Sequence, residues 1–211
     1  MFQDRISAGR QLADLMRDEN VDLDLVLGIP RGGLPAARMV ADAYDVPLDV
    51  VAAKKLWAPN NPELAIGAAA ADGTVWLNDD LITRLRVDDE YVERERERVK
   101  EVAAEKERTY REGRDPPTVE GKRVAIVDDG VATGATMLAA LDAVRRAEPR
   151  RLIVAVAVAP RNTLNRLRGT ADEVICLEVP DIFVAVGQAF REFRPVTDND
   201  VIRILRSARE V

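Results

Sequence analysis

One stretch constrains the fold more than any other. Val124, Ala125, Ile126 and Val127 run without a polar break into Asp128 and Asp129, and Gly130, Val131, Ala132, Thr133, Gly134, Ala135 and Thr136 then lead into a helical pattern. A strand with no polar alternation is covered on both faces, which calls for a parallel sheet between helices. The acids stand at the carboxyl end of that strand, the edge where open α/β sheets bind ligands. The same grammar appears earlier: an apolar run at 25–29, the loop Pro30-Arg31-Gly32-Gly33, a helical pattern over 34–43 and a second apolar run at 48–53. That spacing predicts a βαβ unit.

The rest of the chain fits around this frame. The periodicity predicts an amphipathic helix over 4–19, carried by Ile6, Leu12, Leu15 and Met16. After the central strand at 123–127 come a helix at 134–147, a strand at 152–158, a short helix at 162–168 and a strand at 174–179. A last helix spans 198–206, with Asp198 placed as its N-cap. The expected architecture is one α/β domain over 1–211, a central parallel sheet flanked by helices. It carries a long insertion at 54–122 after the second strand and a small C-terminal hood at 180–211. Within the insertion, Pro59-Asn60-Asn61-Pro62 reads as a turn, and Asp72-Gly73 signals a two-residue hairpin between 65–71 and 74–78. Residues 88–112 read as a solvated helix laced with i,i+4 charge pairs, with Val92, Val99, Ala103 and Tyr110 as a thin apolar stripe.

Composition removes several chemistries. The 211 residues include no histidine and one cysteine, so histidine-based triads and zinc sites are excluded, as is an intramolecular disulfide. Cys176, inside an apolar run, reads as a buried thiol. A net charge of −6 argues against broad nucleic-acid or anionic-membrane binding. With no signal-like N-terminus and no membrane-length apolar run, a cytoplasmic protein is expected.

The loop after Val127 has a definite chemistry. Gly130 and Gly134 allow close backbone approach, the amides entering the next helix form an anion cradle, and Thr133 and Thr136 add hydroxyls. A phosphate on the loop and hydroxyls or a metal near the acids would both be met by a phosphorylated sugar. The loop lacks the lysine of the mononucleotide-binding loop and the spacing of the dinucleotide fingerprint.

Strand, two acids, small residues and Thr-Gly-x-Thr together resemble the phosphoribosyl pyrophosphate (PRPP) motif of type I phosphoribosyltransferases. The resemblance implies that Asp128 and Asp129 hold ribose hydroxyls and that the backbone of 131–136, including Gly130 to Thr136 as a loop, holds the 5-phosphate. Ile29-Pro30-Arg31-Gly32-Gly33 resembles the pyrophosphate loop of the family, with Arg31 and Gly32 as its contacts. Val179-Pro180-Asp181-Ile182-Phe183-Val184-Ala185-Val186-Gly187 resembles the hood of hypoxanthine-guanine phosphoribosyltransferases. There Phe183 would stack on a base and Val184 would meet its edge, against the alternative that Phe183 is core. Gln188 and Glu192 depart from that pattern, since the acid is out of step. Asn61 to Ala68 resembles a group of predicted phosphoribosyltransferases of unassigned acceptor. Lys54 and Lys55 open the insertion, and read equally as surface lysines or as pyrophosphate ligands. The resemblance implies a transferase that moves ribose 5-phosphate from PRPP to a nitrogen acceptor, with Mg2+ bound with PRPP rather than by a protein metal site. Arg31, Asp128 and Asp129 are its candidate catalytic residues, and a homodimer fits the family. A PRPP-sensing regulator without turnover is the competing reading.

Overall fold

The computed structural model describes residues 1–208; the last three residues of the expected hood, 209–211, lie outside the described residues. In chain order the elements are α1 (Arg5–Asp18), β1 (Leu25–Gly28), α2 (Leu34–Tyr44), β2 (Leu48–Val50), β3 (Ala53–Ala58), β4 (Asn61–Ala70), β5 (Val75–Leu77), α3 (Asp79–Leu85), α4 (Asp89–Arg111), β6 (Arg123–Asp128), α5 (Ala135–Arg146), β7 (Arg151–Val158), α6 (Arg161–Leu167), β8 (Glu173–Glu178), a 3-10 turn (Val186–Ala189) and α7 (Asp198–Ser207).

The parallel sheet has the order β2-β1-β6-β7-β8, with β1 between β2 and β6. Alternate residues of its strands feed two cores. Val26, Ala125, Val127, Ile153 and Ala155 pack with α1, α2 and α7. Leu27, Val124, Ile126, Val154 and Val156 pack with α5 and α6. The unbroken apolar runs therefore reflect burial on both faces.

The insertion is more ordered than its sequence implies. β3, β4 and β5 form a separate antiparallel sheet. The run read as one strand over 48–53 is split: Leu48–Val50 joins the parallel sheet and Ala53 begins the second sheet. Between them the Glu107 carboxylate accepts the Ala52 amide at 2.7 Å, and Arg111 donates to the Val50 carbonyl at 2.9 Å. Side chains of α4 thus take ladder positions and turn the chain out of the first sheet. The second sheet lies close on α5 because alanines meet there: Ala53, Ala68 and Ala70 against Ala135 and Ala139. A run of small residues in β4 is what this approach needs, and the hairpin expected between 65–71 and 74–78 is present as the β4–β5 pair.

Several local expectations change in detail. The β4–β5 connection takes the four residues 71–74, not two: Ala70 donates to the Thr74 carbonyl at 2.8 Å, and Gly73 has φ +88°. The β3–β4 turn uses only Pro59 and Asn60, since Asn61 already belongs to β4. Helix α3, capped by Asn78, had no periodic signal long enough to read. α4 buries the expected stripe of Val92, Val99, Ala103 and Tyr110, but most of its charge pairs are i,i+3. Thr197, not Asp198, caps α7. In α1 Ile6 is exposed, and Arg5 sits on the buried face with Ala8, Leu12 and Met16. No helix among the described residues is long and apolar enough to cross a membrane.

Candidate active site

A cleft of about 590 Å³ opens at the carboxyl ends of β1 and β6. Gly32 and residues 128–137 form one side; Lys54, Lys55, Trp57 and Val102 of the insertion face them, and Val186 closes the hood edge.

The loop from β6 to α5 is shaped by what it lacks. Gly134 caps α5 with φ +83°, a left-handed conformation that glycine adopts without a Cβ penalty, and it brings no side-chain cap. The Leu138 amide is the first to bond into the helix, on the Gly134 carbonyl at 2.8 Å. Among the described residues no acceptor engages the amides of Ala132, Thr133, Gly134, Ala135 or Thr136. The carbonyls of this loop are engaged. Thr163 donates to the Ala132 carbonyl at 2.7 Å, and Arg166 donates to the Thr133 carbonyl. In a trans peptide the C=O and the following N–H point oppositely, so α6 pulls the carbonyls one way and aims the Thr133 and Gly134 amides the other. The result is an open anion seat reinforced by the helix dipole. The cradle starts one residue later than expected, because the Val131 amide donates to the Val158 carbonyl at 2.9 Å.

The two acids behave differently. Asp129 is buried, and Arg5 donates to its Oδ2 at 2.6 Å; Arg5 also reaches the Arg194 carbonyl at 2.7 Å and lies 3.8 Å over the Phe193 ring. Both acids were expected to hold ribose hydroxyls, and they sit in different surroundings: one oxygen of Asp129 is engaged by Arg5. Asp128 has no such cation at contact distance. Burial, and then the neighbouring Asp129 charge, push its carboxyl well above the ordinary range. It accepts the Asp129 amide at 2.8 Å and faces the cleft. Gly32 links the two loops, since a Cβ there would stand 2.4 Å from Asp129 Oδ2.

The remaining predicted residues divide. Lys54 and Lys55 both line the cleft. Burial, and then the nearby Lys106 and Arg31 charges, lower the Lys54 pKa, while Lys55 Nζ lies 5.3 Å from the Trp57 ring centroid. Arg31 is not brought to the cleft: it is half-exposed and its Nη1 lies 3.7 Å from Asp198. Phe183 is half-buried and lines a neighbouring cavity of about 620 Å³, with Trp76, Asn78 and Asn162. That cavity shares Lys55, Ala132, Thr133 and Ala135 with the cleft. Val184 points to solvent at 82% exposure, and its amide is taken by Gln188 Oε1 at 2.9 Å. Gln188 also donates to the Ile182 carbonyl, so it braces the hood. Glu192 pairs with Gln3. Cys176 is half-buried, and burial pushes its thiol up to about 11, which keeps it protonated at neutral pH.

Sequence reasoning missed Arg5, Trp57, Val102 and Val186. Arg5 had a readable signal, an arginine on the apolar stripe of α1. The other three reach the cleft through tertiary packing alone.

Residues 3–191 match the family model described as phosphoribosyl transferase domain. Proteins of two Mycobacterium tuberculosis strains, named "Putative phosphoribosyl transferase", are 41% identical over 209 residues, 99% of this chain and 47% of each relative. The chain thus spans about half the length of the curated relatives it matches. The crystal structure of TT1426 from Thermus thermophilus is 42% identical and covers 98% of both chains with a TM-score of 0.83. A hypothetical protein from Neisseria gonorrhoeae, crystallised with bound ppGpp, shares the fold at 14% identity and a TM-score of 0.51 over 99% of each chain. With a whole-domain match and relatives aligned from end to end of this sequence, the chain belongs to the phosphoribosyl transferase family.

Proposed function

We propose that this protein transfers ribose 5-phosphate from PRPP to a nitrogen of a small heterocyclic acceptor and releases diphosphate. The observation that carries this reading is the row of unbonded amides at 132–136, set beside the Asp128 carboxyl that lines the same cleft. The 5-phosphate sits on those amides and on the Thr133 and Thr136 hydroxyls. Asp128 takes the ribose hydroxyls, and Asp129, neutralised by Arg5, fixes the approach of Gly32. Gly32 and Lys54 face the diphosphate, and Arg31 turns in from Asp198 to join them.

The chemistry follows from charge. As the C1–O bond of PRPP breaks, its electron pair leaves with the diphosphate and positive charge grows on the ribose. The acceptor nitrogen forms the new C1–N bond from the opposite face. Donors aimed at the departing oxygens accelerate the step only if their contacts strengthen as the bond breaks. Asp128 is suited to the cationic side. Its carboxyl holds a proton readily in the free protein, and an arriving cation replaces that proton.

Among the described residues no group of three or more Asp, Glu or Cys side chains is arranged to hold a metal. Mg2+ would arrive with the substrate phosphates and take at most one or two protein carboxylates, and Asp128 lines the cleft where it would be one of them. When bound, it neutralises charge on the diphosphate oxygens. The acceptor site is the adjoining cavity, where Phe183 and Trp76 offer flat apolar walls and Asn78 and Asn162 offer hydrogen bonds.

Calorimetry with PRPP and Mg2+, followed by pyrophosphate-release assays over a panel of nucleobases, tests this. Binding with acceptor-dependent release is the expected result. Tight binding with no release for any acceptor would favour a PRPP sensor. No PRPP binding would sink the reading.

A further inference from the structure

A second charged cluster lies beside the cleft. Asp198, at the start of α7, accepts from Lys106 Nζ at 2.6 Å and from the Tyr110 hydroxyl at 2.6 Å, and Arg31 Nη1 stands 3.7 Å away. Lys54, which lines the cleft, feels the charges of both Lys106 and Arg31. Lys106 and Arg31 therefore share one carboxylate, and Lys54 lies near enough to feel their charges, so positive charge is in excess. The three cations come from the loop after β1, from β3 and from α4. Such an arrangement is unfavourable unless an anion completes it.

The geometry assigns Lys106 a place in this reaction. Arg98 and Val102 line the cleft, and Lys106 is the next residue in the same i, i+4 series on α4, one turn further along that face. Its neighbours in the cluster, Arg31 and Lys54, flank Gly32 and the cleft wall. We propose that Lys106 joins Lys54 and Arg31 as a diphosphate-binding residue, and that Asp198 is a positioning residue, an internal counter-ion that the diphosphate displaces. The assignment rests on the transferase reading of the cleft.

The structural logic is that of a preassembled but occupied site. Asp198 keeps Lys106 and Arg31 close together while the cleft is empty, which limits their mutual repulsion. Tyr110, fully buried, fixes the carboxylate from behind through its hydroxyl. A diphosphate carries more charge than one carboxylate and offers more acceptor oxygens, so it competes for both cations.

The test measures wild-type, Lys106→Gln, Lys106→Arg and Asp198→Asn proteins by calorimetry against diphosphate with Mg2+ and, separately, against ribose 5-phosphate. Lys106→Gln is expected to weaken diphosphate binding roughly two- to fivefold, the range for a partly exposed charged contact. Lys106→Arg restores it, and Asp198→Asn strengthens it by a few-fold because the competitor is removed. Neither changes ribose 5-phosphate binding. Unaltered diphosphate affinity in Lys106→Gln, with both ligands bound normally by the wild type, would overturn the assignment and leave the transferase reading intact. Loss of both ligands in Asp198→Asn would also overturn it, by showing a purely structural contact. If the wild type binds neither ligand, the transferase reading falls as well.

Discussion

The wall of the cleft at residues 132–136 offers peptide N–H groups, whereas the wall opposite offers the side chains of Lys54, Lys55 and, through the neighbouring cluster, Arg31 and Lys106. The first wall is a single run of sequence. Its donors are fixed by Gly134, by the uncapped start of α5 and by the carbonyl contacts of Thr163 and Arg166. The second is gathered from three separate stretches, and its donors sit on long side chains whose positions depend on how α4 docks. Backbone donors are organised before a ligand arrives, while lysines must be ordered by it. On the proposed reading, the fixed wall would seat the phosphate that stays attached and the adaptable wall the group that departs, which suits a reaction in which only the second ligand changes charge.

The sharpest way to break this comparison is to undock α4. Arg111 donates to Asp49 at 2.8 Å and to Glu107 at 2.5 Å, and all three side chains are largely buried. Arg111→Met leaves two carboxylates in that environment without their shared cation, at a cost of about 3–5 kcal/mol. Burial already raises the Glu107 pKa. A carboxyl whose folded pKa lies above its unfolded one loses stability as pH rises through that window. The variant should therefore show a steeper fall in stability between pH 5 and pH 8 than wild type, read by urea denaturation. Diphosphate affinity should collapse while ribose 5-phosphate still binds. Equal loss of both would show that the two walls are one mechanical unit.

Asp128→Asn strikes the floor shared by both walls. It is expected to lower kcat/KM roughly 100-fold or more, since a neutral amide cannot answer a developing cation. Stability should move the other way. The raised Asp128 pKa means that its ionisation is paid for by the fold at neutral pH, so the asparagine variant should melt roughly 2–6 °C higher at pH 7 and show no gain near pH 4. A lower melting temperature at pH 7 would place Asp128 in the framework instead of the site.

Gly134→Val sharpens the contrast from the backbone side. A β-branched residue at φ +83° carries strain of about 1–3 kcal/mol, and its Cβ would lie 3.1 Å from Thr163 Cγ2. Loss of ribose 5-phosphate affinity of roughly 10-fold or more is expected, with diphosphate binding little changed. Calorimetry with the two ligands separately reads the difference.

The same division explains what could be read from the sequence. Strands β1, β6, β7 and β8 and helices α2, α5 and α6 announce themselves because burial on both sheet faces, or on one helix face, leaves a local pattern. The loop proposed to hold the 5-phosphate is legible for a related reason: all of its donors lie within a few residues. Arg31 was named from its loop, yet its guanidinium turns to Asp198 on a helix 167 positions later. Lys106 and Tyr110 looked like a solvated face and a core residue, and nothing nearby in sequence hints that Asp198 joins them. Of the second sheet only the β4–β5 hairpin was legible, through its turn; β3 was not, because alanines that permit close packing on α5 carry little strand signal of their own. Chemistry assembled from distant side chains leaves a trace only where a residue breaks its local pattern, as Arg5 does on the apolar stripe of α1.

The mildest test reaches the phosphate wall without touching the ligand. Thr163 is buried, and its hydroxyl donates to the Ala132 carbonyl at 2.7 Å, from the side of the loop away from the amides. Thr163→Val keeps the shape and removes that donor. The carbonyl is then held only by the geometry of the loop, and the Thr133 amide loses its fixed aim. One neutral hydrogen bond contributes about 1 kcal/mol, so ribose 5-phosphate affinity should fall roughly fivefold. Diphosphate affinity should not move, and neither should the salt dependence of its binding, which belongs to the lysine wall. A matching change in both affinities would mean that α6 supports the whole cleft, and the distinction between a backbone wall and a side-chain wall would lose its mechanical basis.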